Sequence, residues 1–210
     1  MFGWKNKTAP RRMPEMSGAC DGAIINTRGH LAGTRVATAM GWRAVEALAA
    51  GDLVLTFDNG LQPLVEIRRE VFWVADMMAP SAYGAVVVPV GALGNSAELE
   101  LLPDQGVLVE SDAACDAHGD PFAVVPAKAL TGFRGITRTA PRTQIEVITL
   151  IFDAAQVIYA EGGALLHCPP AIVTLGELGD QTRDYDVIRA RDAEFLVACM
   201  EAEDRLNAAA

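Results

Sequence analysis

From Thr34 onward apolar and polar residues alternate in short runs broken by turn residues, the period-two pattern of strands that bury one face. TRVATA, residues 34–39, alternates and stops at Gly41. A short apolar segment, Val45 to Leu48, leads into the turn AAGD, and LVLTF (53–57) runs into Asp58-Asn59-Gly60. Asn and Gly tolerate the positive φ angles of a tight primed turn, so this triplet predicts a hairpin. The next run, LQPLVEIRREVFWVA (61–75), sets Leu64, Glu66, Arg68 and Glu70 against Val65, Ile67 and Val71. It predicts one long half-buried strand, offset near Pro63 because proline cannot donate to a ladder.

AVVVPVGAL (85–93), GVLVE (106–110), FAVVPAKAL (122–130), TQIEVITLIF (143–152) and QVIYAEG (156–162) are further strand candidates. Pro89 marks an edge or bulge in the first, and FDAAQ (152–156) reads as a hairpin turn between the last two. SDAACDAHGDP (111–121) is polar and predicts a solvated surface loop, with aspartates that lack the spacing of a calcium loop. After Pro169-Pro170 the pattern changes. IVTLGELGDQTRDYD is loop-like, and RARDAEFLVACMEAEDRL (189–206) is rich in helix formers. Ala193, Leu196, Val197 and Met200 form one apolar stripe on that helix, which is expected to cover the sheet; the alternative is a helix offered to a partner subunit. Many short strands with one terminal helix predict a mainly β fold.

Composition narrows the partners. A chain of 210 residues is long enough for one large domain and buries about 70% of the surface its unfolded form exposes. Its 51% apolar and 21% charged residues are those of an ordinary soluble globular protein. A net charge of −10 argues against nucleic acid, because a phosphate backbone rewards clustered Lys and Arg. The first stretch is the exception, with Lys5, Lys7, Arg11 and Arg12 against Glu15 alone; its prolines and lack of periodicity predict a solvated arm. No apolar h-region follows those charges, and the longest strongly apolar run, Ala85 to Leu93, is too short to span a bilayer. The expectation is a cytoplasmic location of the bacterial type, with no membrane partner.

Cys20, Cys115, Cys168 and Cys199 stand far apart and form no CxxC pair, a poor disulfide framework. Cys115 and His118 make a CxxH, and His167 sits beside Cys168, but neither pair has a second half at metal-site spacing. No metal and no cofactor is therefore expected. His167-Cys168 as the base and nucleophile of a hydrolase is disfavoured, since adjacent residues on a strand point to opposite faces. The stretch reads as a plain loop.

Gly33-Thr34, Val36, Thr38, Gly41, Val45-Glu46, Leu48, Gly51-Asp52, Val54, Thr56 and Asp58-Asn59-Gly60-Leu61-Gln62 form a set specific in order and spacing. VPVGALGN (88–95), VPAKALTG (125–132) and VITLIFDAAQVIYAEG (147–162) extend it. On these motifs the chain from about residue 30 to 165 resembles a hedgehog/intein (Hint) domain, of the kind found in bacterial Hint-domain proteins. The resemblance implies a compact, pseudo-two-fold β fold whose long strands bend round a small central cleft. With the helix added, the expected divisions are a basic N-terminal arm (1–28), a Hint domain (29–168), and a loop with a C-terminal α-helix (169–210).

Hint domains rearrange or cleave the peptide bond before their first residue, whose thiol or hydroxyl attacks the preceding carbonyl. That chemistry needs a nucleophile at the junction, a donor for the departing amine and a group that stabilises the oxyanion. The resemblance puts the first residue at Gly29, which has no side chain, and His30 where the family often has an aromatic residue. The family's S-P-x-H-R-V-L corresponds to residues 102–108, with Gln105 at the histidine position. A Gln amide donates a hydrogen bond but shuttles no proton near neutral pH. The family's H-L-L-x-D-R-H-x-V corresponds to residues 149–157, which keep Asp153 and neither histidine. Leu166-His167-Cys168 is similar to the end of an intein but lacks the asparagine that cyclises.

Reactive groups are thus absent from three separate blocks whose turn residues persist. The resemblance implies a Hint-type autoprocessing protein that is catalytically inactive, a pseudoenzyme acting as a binding or scaffold module. Gly29, His30, Gln105 and Asp153 are expected to line the remnant cleft. Two alternatives stay open: residual self-cleavage by an N–S acyl shift at an unusual junction near Cys20–Gly29, and a subunit of a larger assembly using the C-terminal helix. The expected partner is a protein of unstated identity, and the oligomeric state is open.

Overall fold

The computed structural model of the chain describes residues 28–73, 84–114, 120–140, 142, 144–170 and 187–208. Its first strands are β1 (His30–Leu31), β2 (Arg35–Thr38), β3 (Gly41–Ala44), β4 (Leu53–Thr56), β5 (Gly60–Pro63), β6 (Glu66–Trp73) and β7 (Val86–Val88). β8 (Leu99–Leu101), β9 (Gly106–Glu110), β10 (Phe122–Pro126), β11 (Thr137–Arg138), β12 (Gln144–Ile151), β13 (Gln156–Ala160) and β14 (Ala164–Cys168) follow. The helix α1 spans Ala190–Ala208. Calls on residues 1–27, including Cys20, on Cys115 and His118, and on residues 171–186 lie outside the described residues.

The strands form two sheets. One has the order β11-β7-β8-β1-β12-β6; the other runs β10-β9-β14-β13-β2-β4-β5, with β3 paired to β2. The Asp58-Asn59-Gly60 triplet joins β4 and β5, with Thr56 opposite Gly60. The Thr56 hydroxyl donates to the Gly60 carbonyl at 2.8 Å and accepts from the Asn59 N–H at 3.2 Å, so the turn closes on its own polar groups.

The long strand expected over residues 61–75 is instead two strands in different sheets, β5 and β6. Between them Leu64 is buried; its N–H donates to the Asp52 carbonyl at 2.9 Å and its own carbonyl accepts from Gly51 N–H at 2.7 Å. Val65 N–H then donates to Ile151 in the other sheet at 2.8 Å. Pro63, unable to donate, marks the end of a strand, and the alternation resumes out of phase on the other side of the molecule. Two other runs are shorter than expected. AVVVPVGAL is a strand only over Val86–Val88, because the Asn95 side chain donates to the carbonyls of Pro89 and Ala97 (3.0 and 2.7 Å) and holds a turn there. FAVVPAKAL leaves the sheet at Pro126 for a 3-10 turn, Ala127–Leu130.

The main core joins Val36, Leu48, Leu64, Phe133, Phe152 and Leu166 with the stripe of α1, namely Ala193, Leu196, Val197 and Met200. Burying each larger side chain contributes about 1.5–3 kcal/mol. The apolar face of α1 is therefore occupied within this chain. Polar contacts fix the docking: Glu203 accepts from the Ser111 hydroxyl at 3.2 Å and the Ala113 N–H at 3.0 Å, and Arg134 pairs with Asp204 at 2.6 Å. This corrects the expectation of a solvated loop at residue 111, since Ser111 and Ala114 are buried and the loop's start is tied down by the helix. Among the described residues no helix is long and apolar enough to cross a membrane.

Candidate functional site

Strand β1 is only two residues long, too short to show in any alternation. It exists because β12 and β8 flank it, with His30 opposite both Ile148 and Leu101. That pairing places Gly29 at the mouth of the molecule's described cleft. Gly29 has φ +113°, and a Cβ built there would lie 2.8 Å from Val147 Cγ1, 3.2 Å from Thr149 Oγ1 and 3.3 Å from the Ile148 carbonyl. The position lacks a nucleophile, and any side chain there would be strained at this φ and would press on Val147.

Gln105, 2% exposed, faces this junction. Its Oε1 accepts the Gly29 N–H at 3.0 Å, while its Nε2 donates to the carbonyls of Gly106 at 3.0 Å and His167 at 2.8 Å. Both amide hydrogens and the oxygen are engaged. A side chain held by three backbone groups from three segments is a rivet, and an amide offers no proton relay.

Cys168 ends β14 and lies with its Sγ 3.4 Å from His30 Nε2, across 138 residues of sequence. Both side chains are buried, 1% and 3% exposed. Burial lowers His30 to about 4 and pushes the Cys168 thiol up. Desolvation favours the neutral form of each, so at pH 7 the pair is a thiol beside an imidazole. His30 Nδ1 has no hydrogen-bond partner among the described residues.

Gly29, His30, Gln105, Thr149 and Cys168 line one cavity of about 160 Å³ together with Arg28. Of the four residues expected in a remnant cleft, the fold brings Gly29, His30 and Gln105 together. Asp153 is exposed in the turn between β12 and β13 and is not among the residues lining the cavity. Thr149 takes a wall of the cavity from the position where the resemblance has the first histidine of its segment. Leu166-His167-Cys168, expected as a plain loop, is strand, because β14 pairs with β13 over its whole length. Its alternation is real: Cys168 is fully buried and His167 half-buried, yet both reach the cavity because it opens at the end of the strand. The imidazole against the thiol is His30, and no local signal in the sequence connects them.

Among the described residues no group of three or more His, Cys, Asp or Glu is placed to hold a metal ion. The polar groups at the wall of this small cavity include the Cys168 thiol, the His30 and His167 imidazoles, the Thr149 hydroxyl and the Arg28–Gly29 peptide bond.

A family model described as the Hint domain matches residues 29–165. Among solved structures, the chain is similar to a splice-inactive variant of the AceL NrdHF class 3 split intein, with 14% identity, a TM-score of 0.46, and 69% of this chain and 99% of that one covered. A bacterial intein-like domain from Clostridium thermocellum is 15% identical, with a TM-score of 0.48 and coverage of 67% and 98%. The MchDnaB-1 intein is 13% identical, with a TM-score of 0.40 and coverage of 66% and 98%. No curated protein sequence matches the chain.

Proposed function

The chain belongs to the Hint-domain family, and from that premise we propose a Hint module that does not perform the acyl shift from its first residue, keeps its N-terminal segment at neutral pH, and serves as a binding or scaffold element. The observation that carries this reading is Gly29. Its backbone sits at a positive φ against Val147 and its N–H is held by Gln105, so the junction is packed as structure. The acyl shift depends on an attacking atom within van der Waals reach of the carbonyl, and proximity of that kind supplies a large part of the rate. Gln105 supports the same reading, since its amide is committed to three backbone groups. Intact mass spectrometry of the full chain after a day at pH 7 is the test. A single species carrying residues 1–28 is expected, and spontaneous loss of that segment sinks the reading.

A further inference from the structure

Helix α1 is apolar on two opposite sides. At about 100° per residue, Ala193, Leu196, Val197 and Met200 fall on one face, which is packed into the main core. Phe195, Cys199, Ala202 and Leu206 follow one another at intervals of four, three and four residues and fall on the other. Phe195 is 71% exposed and Leu206 72%, Ala202 is exposed, and Cys199 is half-buried. A helix that only covers a sheet carries polar residues on its outward side. Apolar residues at alternating intervals of three and four are the pattern by which two helices interlock.

The charges beside this outer stripe indicate what it meets. Glu194 and Arg205, both exposed, lie on one flank of it, eleven residues and so about three turns apart. Phe195 and Leu206 share that separation. Set against a second copy running antiparallel, with a two-fold axis near Cys199 and Ala202, each Phe195 meets the Leu206 of the second copy. The small Cys199 and Ala202 come together between them and let the helices approach. The same operation brings each Glu194 to within about 3 Å, measured along the helix, of the Arg205 of the second copy. Arg205 uses Nη2 on Glu201 of its own helix, at 3.1 Å, and a guanidinium has further N–H donors for a second carboxylate. The stripe is thus complementary to itself in size and in charge, as a two-fold interface requires. Asp192, Glu194 and Glu201 on the same helix disfavour an anionic bilayer, which holds helices flanked by Lys and Arg.

We propose that the outer face of α1 is a homodimer interface, on which a second copy of this chain docks antiparallel. One helix face buries less than a standard interface, so the pair forms and parts with concentration. Such a dimer goes beyond the silent-module reading and is independent of it. No residue of α1 lines the cavity at Gly29, His30 and Gln105, and association does not alter whether residues 1–28 are kept.

Sedimentation velocity of the full chain under reducing conditions, between about 5 and about 500 micromolar, is the test, with circular dichroism confirming the fold of each variant. The sedimenting mass is expected to rise from one chain toward two. Phe195→Lys and Leu206→Lys, at exposed positions, weaken association at least about tenfold. Glu194→Arg weakens it about fivefold, and Glu194→Arg combined with Arg205→Glu restores it. Leu55→Lys, on an exposed sheet face, leaves it unchanged. A chain that stays single throughout, a dimer that survives Phe195→Lys, or one lost instead with Leu55→Lys overturns the proposal, as does a mass that climbs past two chains. A charge swap that fails to restore the pair overturns the antiparallel arrangement. A single chain that binds phosphatidylserine vesicles, and loses that binding with Phe195→Lys, would give the face to a membrane instead.

Discussion

The β4–β5 hairpin and the entrance to β1 lie in one continuous stretch of chain and use glycine for opposite reasons. Gly60 has φ +63°, and a Cβ added there meets no atom within 4 Å. Its only task is the sign of φ. Gly29 combines φ +113° with a Cβ position 2.8 Å from Val147 Cγ1. The polar groups differ in the same way. Thr56 satisfies its own turn three and four residues away, whereas Gln105 ties together Gly29, 76 residues distant, and His167, 62 residues distant. The hairpin turn is a local solution, closed by groups within a few residues of one another. The cleft is a tertiary one, in which distant segments pack closely round a glycine.

The largest effect expected from this contrast is at Gln105. Gln105→Ala leaves the Gly29 N–H and the carbonyls of Gly106 and His167 without the side chain, and is expected to lower stability by about 4 kcal/mol in urea unfolding. A loss below about 1 kcal/mol would put the cleft on the same footing as the hairpin. Next is acid sensitivity. His30 falls from 6.5 to about 4 on folding, so the unfolded chain binds the extra proton between those values and stability drops as pH falls through them. The neutral imidazole contributes fully above 6.5, and the loss approaches about 3 kcal/mol near pH 4. Denaturant midpoints of the native chain and of His30→Asn measured across this range should converge, and parallel curves would contradict the assignment.

Gly29→Cys comes third, at about 2 kcal/mol of destabilisation from strain and overpacking. It should return no cleavage at neutral pH despite replacing the missing thiol, and prompt loss of residues 1–28 from this variant would show that the junction has space after all. Gly60→Ala is the smallest, about 1 kcal/mol, because strain at φ acts there without any clash. If the two glycine variants proved equal in thermal unfolding, the distinction between them would collapse.

Much of the fold is legible along the chain because it rests on local rules. The Asp58-Asn59-Gly60 turn, the alternation of β2 and β4, and the stripe of α1 each depend on residues within a few positions of one another. The misreadings share a cause. The run from residue 61 to 75 keeps its period through a change of sheet, since alternation reports which face is apolar and is blind to which partner strand lies alongside. Strands as short as β1 and β8 carry no period to read. They are strands because neighbours supply the ladder.

The candidate site divides the same way. Gly29, His30 and Gln105 follow from a residue pattern and converge in one cavity, while Asp153, on the same pattern, lies in an exposed turn. Cys168 stands beside His167 in the sequence, but the imidazole at its Sγ is that of His30, placed there by the register of β14 on one sheet and β1 on the other. The sequence by itself determined a mainly β Hint fold, its turns, and the absence of a nucleophile at residue 29. Only the tertiary structure decided that a side chain at residue 29 would press on Val147, and that a thiol and an imidazole 138 residues apart meet beside it. The reason is physical: turn and strand preferences are properties of neighbouring residues, whereas contact and burial depend on how distant strands pair and pack.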